Sequence, residues 1–221
     1  MSRHAAYLGS WFSLLLAANV CAAAPSFDCA KAAEGAEQAI CKDAKLAALD
    51  AAIARAYALA QDKLGGRGAK ALRENQRVFL SARDAAQGLP DNDLQDRLSN
   101  QLNFLERAAA AAGGSGLVGT WENAYGIITI KRGTGELFSV EAQSGDPVSA
   151  RWVCDTTDEV PLQDGALSFT DADKPQDATV TIRVLMDAAL LVVSEDVKEG
   201  AVRGYCGANG FLEGTYLRVG P

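Results

Sequence analysis

The hydrophobic period of this chain changes at Gly113-Gly114-Ser115-Gly116, and that change limits what it can fold into. Before the break, three sets of residues recur every three or four positions. They are Leu46, Leu49, Ile53, Tyr57, Ala60 and Leu64, then Leu72, Gln76, Phe79, Leu80 and Arg83, then Leu94, Leu98, Leu102 and Leu105. A helix turns once in about 3.6 residues, so each set falls on one helical face. Beyond the break the chain is rich in β-branched and alternating runs, at Ile127–Ile130, Ala178–Val184, Leu190–Val193 and Phe211–Val219. Gly133-Thr134-Gly135, Asp164-Gly165 and Ala208-Asn209-Gly210 supply turn signals between them. The reading is an α+β chain: a helical domain over 24–112, a Gly/Ser linker over 113–116 and a β domain over 117–221. Seven or eight short strands would make a small all-β sandwich or barrel.

Local signals divide the helical part. Asp43 is placed to cap a helix whose end is marked by Gly65, Gly66 and Gly68. Gly88-Leu89-Pro90 closes the second helix, and Asn92 is the expected cap of the third. Connections this short put neighbouring helices antiparallel, as in a small bundle. A shorter helix near Ala30–Ile40 is flanked by Cys29 and Cys41.

The first 23 residues have the pattern of an export signal. Arg3 and His4 precede an apolar run from Tyr7 to Val20, and Cys21-Ala22-Ala23-Ala24 offers small residues for cleavage after Ala23. Lipid anchoring at Cys21 is the alternative, with Val20 a poor residue to precede it. No later run reaches the 18 or so apolar residues that cross a bilayer, so the expectation is a periplasmic or secreted protein with no transmembrane segment. In an oxidising compartment the remaining Cys29, Cys41, Cys154 and Cys206 form disulfides. Their division between domains favours Cys29 with Cys41 and Cys154 with Cys206. Zinc is the rival reading, and it has neither CxxC spacing nor a nearby histidine.

Charge and residue inventory narrow the function. Between Ala24 and Ala112 there are 12 basic and 12 acidic residues; beyond lie 8 basic against 16 acidic, a formal charge of −8. The β domain therefore carries the excess, which argues against nucleic acid as a partner. The sole histidine, His4, leaves with the export signal, and with it Ser-His-Asp, Cys-His and histidine-metal chemistry. No Walker loop or dinucleotide fingerprint is present. The expectation is a non-catalytic protein without a cofactor.

A longer pattern runs through the helical part. Ser26-Phe27-Asp28-Cys29, Glu37, Ile40-Cys41, Leu46, Leu49-Asp50 and Tyr57 are followed by Leu72, Gln76, Phe79 and Arg83-Asp84. Over about residues 26–86 this resembles the N-terminal domain of the LprI-type lysozyme-inhibitor family. Phe79 stands where the family commonly has tryptophan, and Ala86 where some members carry a further cysteine. The resemblance implies a helical envelope domain, a protein partner and, by the family's name, inhibition of lysozyme. Among its polar positions, Asp50, Gln76, Arg83 and Asp84 could form a recognition surface. The alternative is an internal network, because Asp50 and Arg83 lie on or beside apolar helix faces. That second reading is preferred.

The β domain opens with Gly119-Thr120-Trp121, which resembles the GxW start of lipocalin-like barrels and suggests Trp121 as a plug at one end. Trp152 is expected to pack on the Cys154 disulfide. Acidic groups at Asp155, Asp158 and Glu159, at Asp171, Asp173 and Asp177, and at Glu195, Asp196 and Glu199 read as loop or strand-end clusters. Such runs commonly serve solubility. The sharper reading is that Asp155, Asp158, Glu159, Asp171 and Asp173 attract a basic protein partner such as a lysozyme. A structural envelope protein, or a small-ligand carrier using the barrel as a cup, are the alternatives.

Overall fold

The computed structural model describes residues 24–32, 35–170, 178–185, 190–201 and 203–221. The export-signal expectation, together with Asp171, Asp173 and Asp177, lies outside the described residues. Helices come first, with a 3-10 turn at Cys29–Lys31 followed by α1 (Ala36–Lys42), α2 (Ala44–Ala85) and α3 (Leu94–Ala111). The expected single helix at Ala30–Ile40 is thus a 3-10 turn plus a later short helix. Cys29 is bonded to Cys41, closing the two against each other.

Asp43 caps α2 as its sequence suggests, its side chain accepting from the backbone N–H of Lys45 at 2.7 Å and Leu46 at 3.3 Å. At Gly65 and Gly66, φ values of 54° and 34° break the helical path. Side chains resist that conformation, so glycine suits this bend. Residues on either side then face each other: Asp50, Ile53 and Tyr57 share one cavity wall with Arg83, Phe79 and Gln76. The two halves of α2 form an antiparallel hairpin. The cap of α3 is Asp93 rather than Asn92, with Asp93 accepting from the Asp96 N–H at 3.1 Å. Asn92 instead holds the neighbouring side chains of Gln87 and Arg97.

Eight strands follow: β1 (Gly119–Glu122), β2 (Gly126–Arg132), β3 (Leu137–Gly145), β4 (Val153–Pro161), β5 (Ala166–Thr170), β6 (Ala178–Leu185), β7 (Leu190–Val197) and β8 (Gly214–Gly220). They form one antiparallel sheet in the order β4-β3-β2-β1-β8-β7-β6-β5, with β4 and β5 brought near each other. The sheet is a nearly closed barrel rather than a sandwich. The first strand pairs with the last, Trp121 lying opposite Arg218. Alternation along each strand sends Trp121, Ile128, Ile130, Val140, Leu167, Ile182 and Leu191 into a single core cluster. A second disulfide, Cys154 to Cys206, borders that core.

The helices cover the outer face of β8. Leu217 and Val219 point away from the barrel interior and are buried with Leu190 among Leu98, Phe104 and Leu105. Burying an aliphatic side chain contributes roughly 1.5–3 kcal/mol, so three of them make a substantial seam. Two arginines of α3 reinforce it. Arg97 donates to the carbonyls of Pro147 at 2.7 Å and Val148 at 3.0 Å, and Arg107 pairs with Glu122.

Candidate partner-binding site

Among the described residues, the acidic positions of the barrel do not form one patch. Asp155, Asp158 and Glu159 lie within β4 rather than in a loop or at a strand end, and Glu195 and Asp196 lie within β7. Cys154 and Val160 face the barrel core, so the two-residue period places Asp158 on the inward side as well. It is half-buried and accepts from the Thr156 hydroxyl at 2.8 Å. Asp155 and Glu159 take the opposite face and are exposed. β4 ends the sheet order, and charges on such a strand discourage pairing with another chain. Two carboxylates therefore remain outward on this strand as candidates for a basic partner.

Glu195 is not a surface group at all. Its side chain is fully enclosed, 3.3 Å from the Arg203 guanidinium, and accepts from the Tyr205 hydroxyl at 2.8 Å and the Glu213 N–H at 3.3 Å. This one carboxylate gathers the long segment between β7 and β8. Sequence grouping with Asp196 and Glu199 hid that role, because Arg203, Tyr205 and Glu213 all lie beyond a turn.

The helical polar positions come together more closely. Asp50 and Arg83 are 7% and 5% exposed, facing a cavity of about 420 Å³ between the halves of α2. Asp50 accepts from the Ser26 N–H at 2.6 Å, which fastens the start of the described chain to α2. Arg83 donates to Asp84 Oδ1 at 2.8 Å. Gln76 accepts from the Gln101 amide at 2.8 Å and so joins α2 to α3. Tyr57 and Phe79 are partly buried and packed against the helical core. Tyr57 also accepts from the Gln61 amide at 2.7 Å.

A Cys29–Cys41 staple, a helical hairpin and a buried Asp50–Arg83 region together define the first half of the chain. Residues 29–122 match the family model Lysozyme inhibitor LprI. The matched span exceeds the 26–86 resemblance at its far end, running through all the helices and the linker to the last residue of β1. The LprI-like region therefore includes Trp121, which is buried inside the barrel. No curated protein and no solved structure matches the chain. The match makes residues 29–122 similar to that lysozyme-inhibitor family. Among the described residues, no helix is long and apolar enough to cross a membrane.

One residue outside the sequence-predicted set organises the junction between the LprI-like helices and the barrel. Arg218 is 4% exposed and its guanidinium lies 4.2 Å from the centre of the Trp121 ring. It donates to the carbonyls of Val118 at 2.8 Å, Ser115 at 3.4 Å and Gly116. Burial lowers its pKa below the ordinary arginine value. The Gly/Ser linker is thus held through Ser115 and Gly116 by a strand 102–103 residues away. A lone arginine in an alternating strand carries no sequence signal for this role.

Proposed function

We propose that this chain is an exported, non-catalytic binding protein of the cell envelope whose partner is a lysozyme-type enzyme. The observation that carries the reading is the LprI match over residues 29–122. The two disulfides support an oxidising, extracytoplasmic setting. The formal −8 beyond Gly113 supports capture of a basic protein, with outward Asp155 and Glu159 as contributors to steering. Trp121, Ile128, Val140, Leu167, Ile182 and Leu191 pack in one buried apolar cluster, which favours this reading over a ligand cup.

Titration of the purified protein against several lysozyme types, reading direct binding and cell-wall lysis together, tests this. The expected result is binding that slows lysis and associates more slowly as salt rises, because screening shortens charge interactions to about 8 Å at physiological ionic strength. Absence of binding to every lysozyme at micromolar concentration would sink the proposal. Binding without loss of lysis would keep the partner and remove the inhibition.

A further inference from the structure

We propose that the crevice between the second half of α2, α3 and the β1–β2 turn is a binding site for a neutral oligosaccharide. Two cavities, of about 360 and 250 Å³, meet along this seam and share Asn75, Asn123 and Ala124 as lining. Four carboxamides converge on the smaller one, from Asn75, Asn100, Gln101 and Asn123. Asn75, Gln101 and Asn123 are only 7–9% exposed. Burying polar groups is costly unless they are satisfied, so their concentration around one cavity requires a reason.

For Gln101 and Asn123 the reason is internal. Gln101 donates to Gln76, and Asn123 Oδ1 accepts from the N–H groups of Tyr125 at 2.8 Å and Gly126 at 3.0 Å, shaping the turn. Asn75 differs. Its Oδ1 is buried with no hydrogen-bond partner, and its Nδ2 donates to Ala71 O at 3.4 Å, long for such a bond. Exchanging the two amide atoms would set oxygen against oxygen, so the orientation is fixed by Ala71. Asn75 lines both cavities, so a ligand hydroxyl or amide N–H seated there is the partner its Oδ1 lacks.

The rest of the lining selects the class. Carboxamides both donate and accept, which matches the hydroxyl groups of a sugar. Phe79 and Phe104 border the smaller cavity and Tyr125 the larger, offering apolar faces beside the polar ones. Charge is balanced in the larger cavity, with Arg67 and Lys70 against Glu74 and Glu213. In the smaller cavity Arg97 is engaged by Pro147 and Val148. An anionic ligand gains little from such a site. An extended peptide would need an open strand edge, and β1 is paired on both sides, with β2 and β8.

The proposal does not depend on the lysozyme reading and is tested separately. The full chain is titrated calorimetrically with tri-N-acetylchitotriose and with cellotriose. At least one should bind with a Kd of about 1 mM or tighter. Asn75→Leu should weaken that binding about tenfold, the effect of one lost hydrogen bond, while leaving the melting temperature equal or higher. Asn100→Ala, at an exposed position, should weaken it without affecting folding, and decides the matter if Asn75→Leu does not fold. Absence of binding by both sugars, unchanged affinity in the folded variants, or preferential binding of a neutral tripeptide would each overturn the assignment.

Discussion

The Arg218 guanidinium sits over the Trp121 ring, 4.2 Å from its centre, at a point where the last strand of the barrel pairs with the first. The same side chain collects the carbonyls of Ser115, Gly116 and Val118 from the segment that joins helices to barrel. A single buried cation thus ties the barrel's closure to its junction with the helices.

Replacing Arg218 should therefore be costly. Arg218→Ala removes a desolvated cation–π contact worth about 2 kcal/mol and leaves several buried carbonyls unpaired, for a combined loss of about 3–5 kcal/mol. Arg218→Lys should recover only part of this, because an ammonium cannot fork across separate carbonyls. Chemical denaturation followed by tryptophan fluorescence measures both. Equal stability of the three proteins would refute the lock.

The linker should resist proteases for the same reason. Cleavage within Gly113–Gly116 is expected to be slow in the parent chain and markedly faster in Arg218→Ala. After cleavage, the two fragments should co-elute on size exclusion, held by Leu190, Leu217 and Val219 against the helices. The division into residues 24–112 and 117–221 remains a proposal. Fragments that separate at once and stay folded would show that the shared apolar seam contributes little.

Asp50 and Arg83 are proposed as structural residues. Asp50→Ala frees the Ser26 N–H and Arg83→Ala strips the buried guanidinium from Asp84, each costing about 1–3 kcal/mol. Thermal unfolding should register these losses while lysozyme binding, measured well below the transition, changes less than threefold. Unchanged stability with abolished binding would place both residues at the interface.

Acid should loosen the loop that receives Arg97. Asp146 is half-buried, and partial desolvation by itself raises a carboxyl pKa, yet hydrogen bonds from Ser149 and Val148 and the nearby Arg151 bring it below its ordinary value. A carboxylate with a lowered folded pKa stabilises the fold above its unfolded pKa and loses that contribution as pH falls through the folded value. Stability should thus decline below about pH 4. Asp146→Asn should flatten that part of the pH profile. A profile identical to the parent's would show that Asp146 is not the group responsible.

Much of the architecture was legible because it rests on near neighbours. The apolar spacing from Leu46 to Leu64 and from Leu72 to Arg83 marks helices, and Gly65-Gly66 marks their bend. The alternation of Ile127–Ile130 marks a strand for the same reason: a side chain's face follows from backbone period alone. Asp43 was readable as a cap, whereas Asn92 and Asp93 differ by one residue, and the hydrogen bond to Asp96 decides between them.

The family's polar set could be named from the sequence, but not the cavity that the hairpin builds between Asp50 and Arg83. Local pattern was silent wherever a side chain's partner lies far along the chain. Whether Asp158 faces in or out depends on which side of β4 the barrel closes. The enclosure of Glu195 depends on the path of the segment after β7, and the grip of Arg218 on Val118 spans 100 residues. Periodicity decides which side chains share a face. Register and closure decide what that face meets, and these follow from the packing of the whole barrel against its helices.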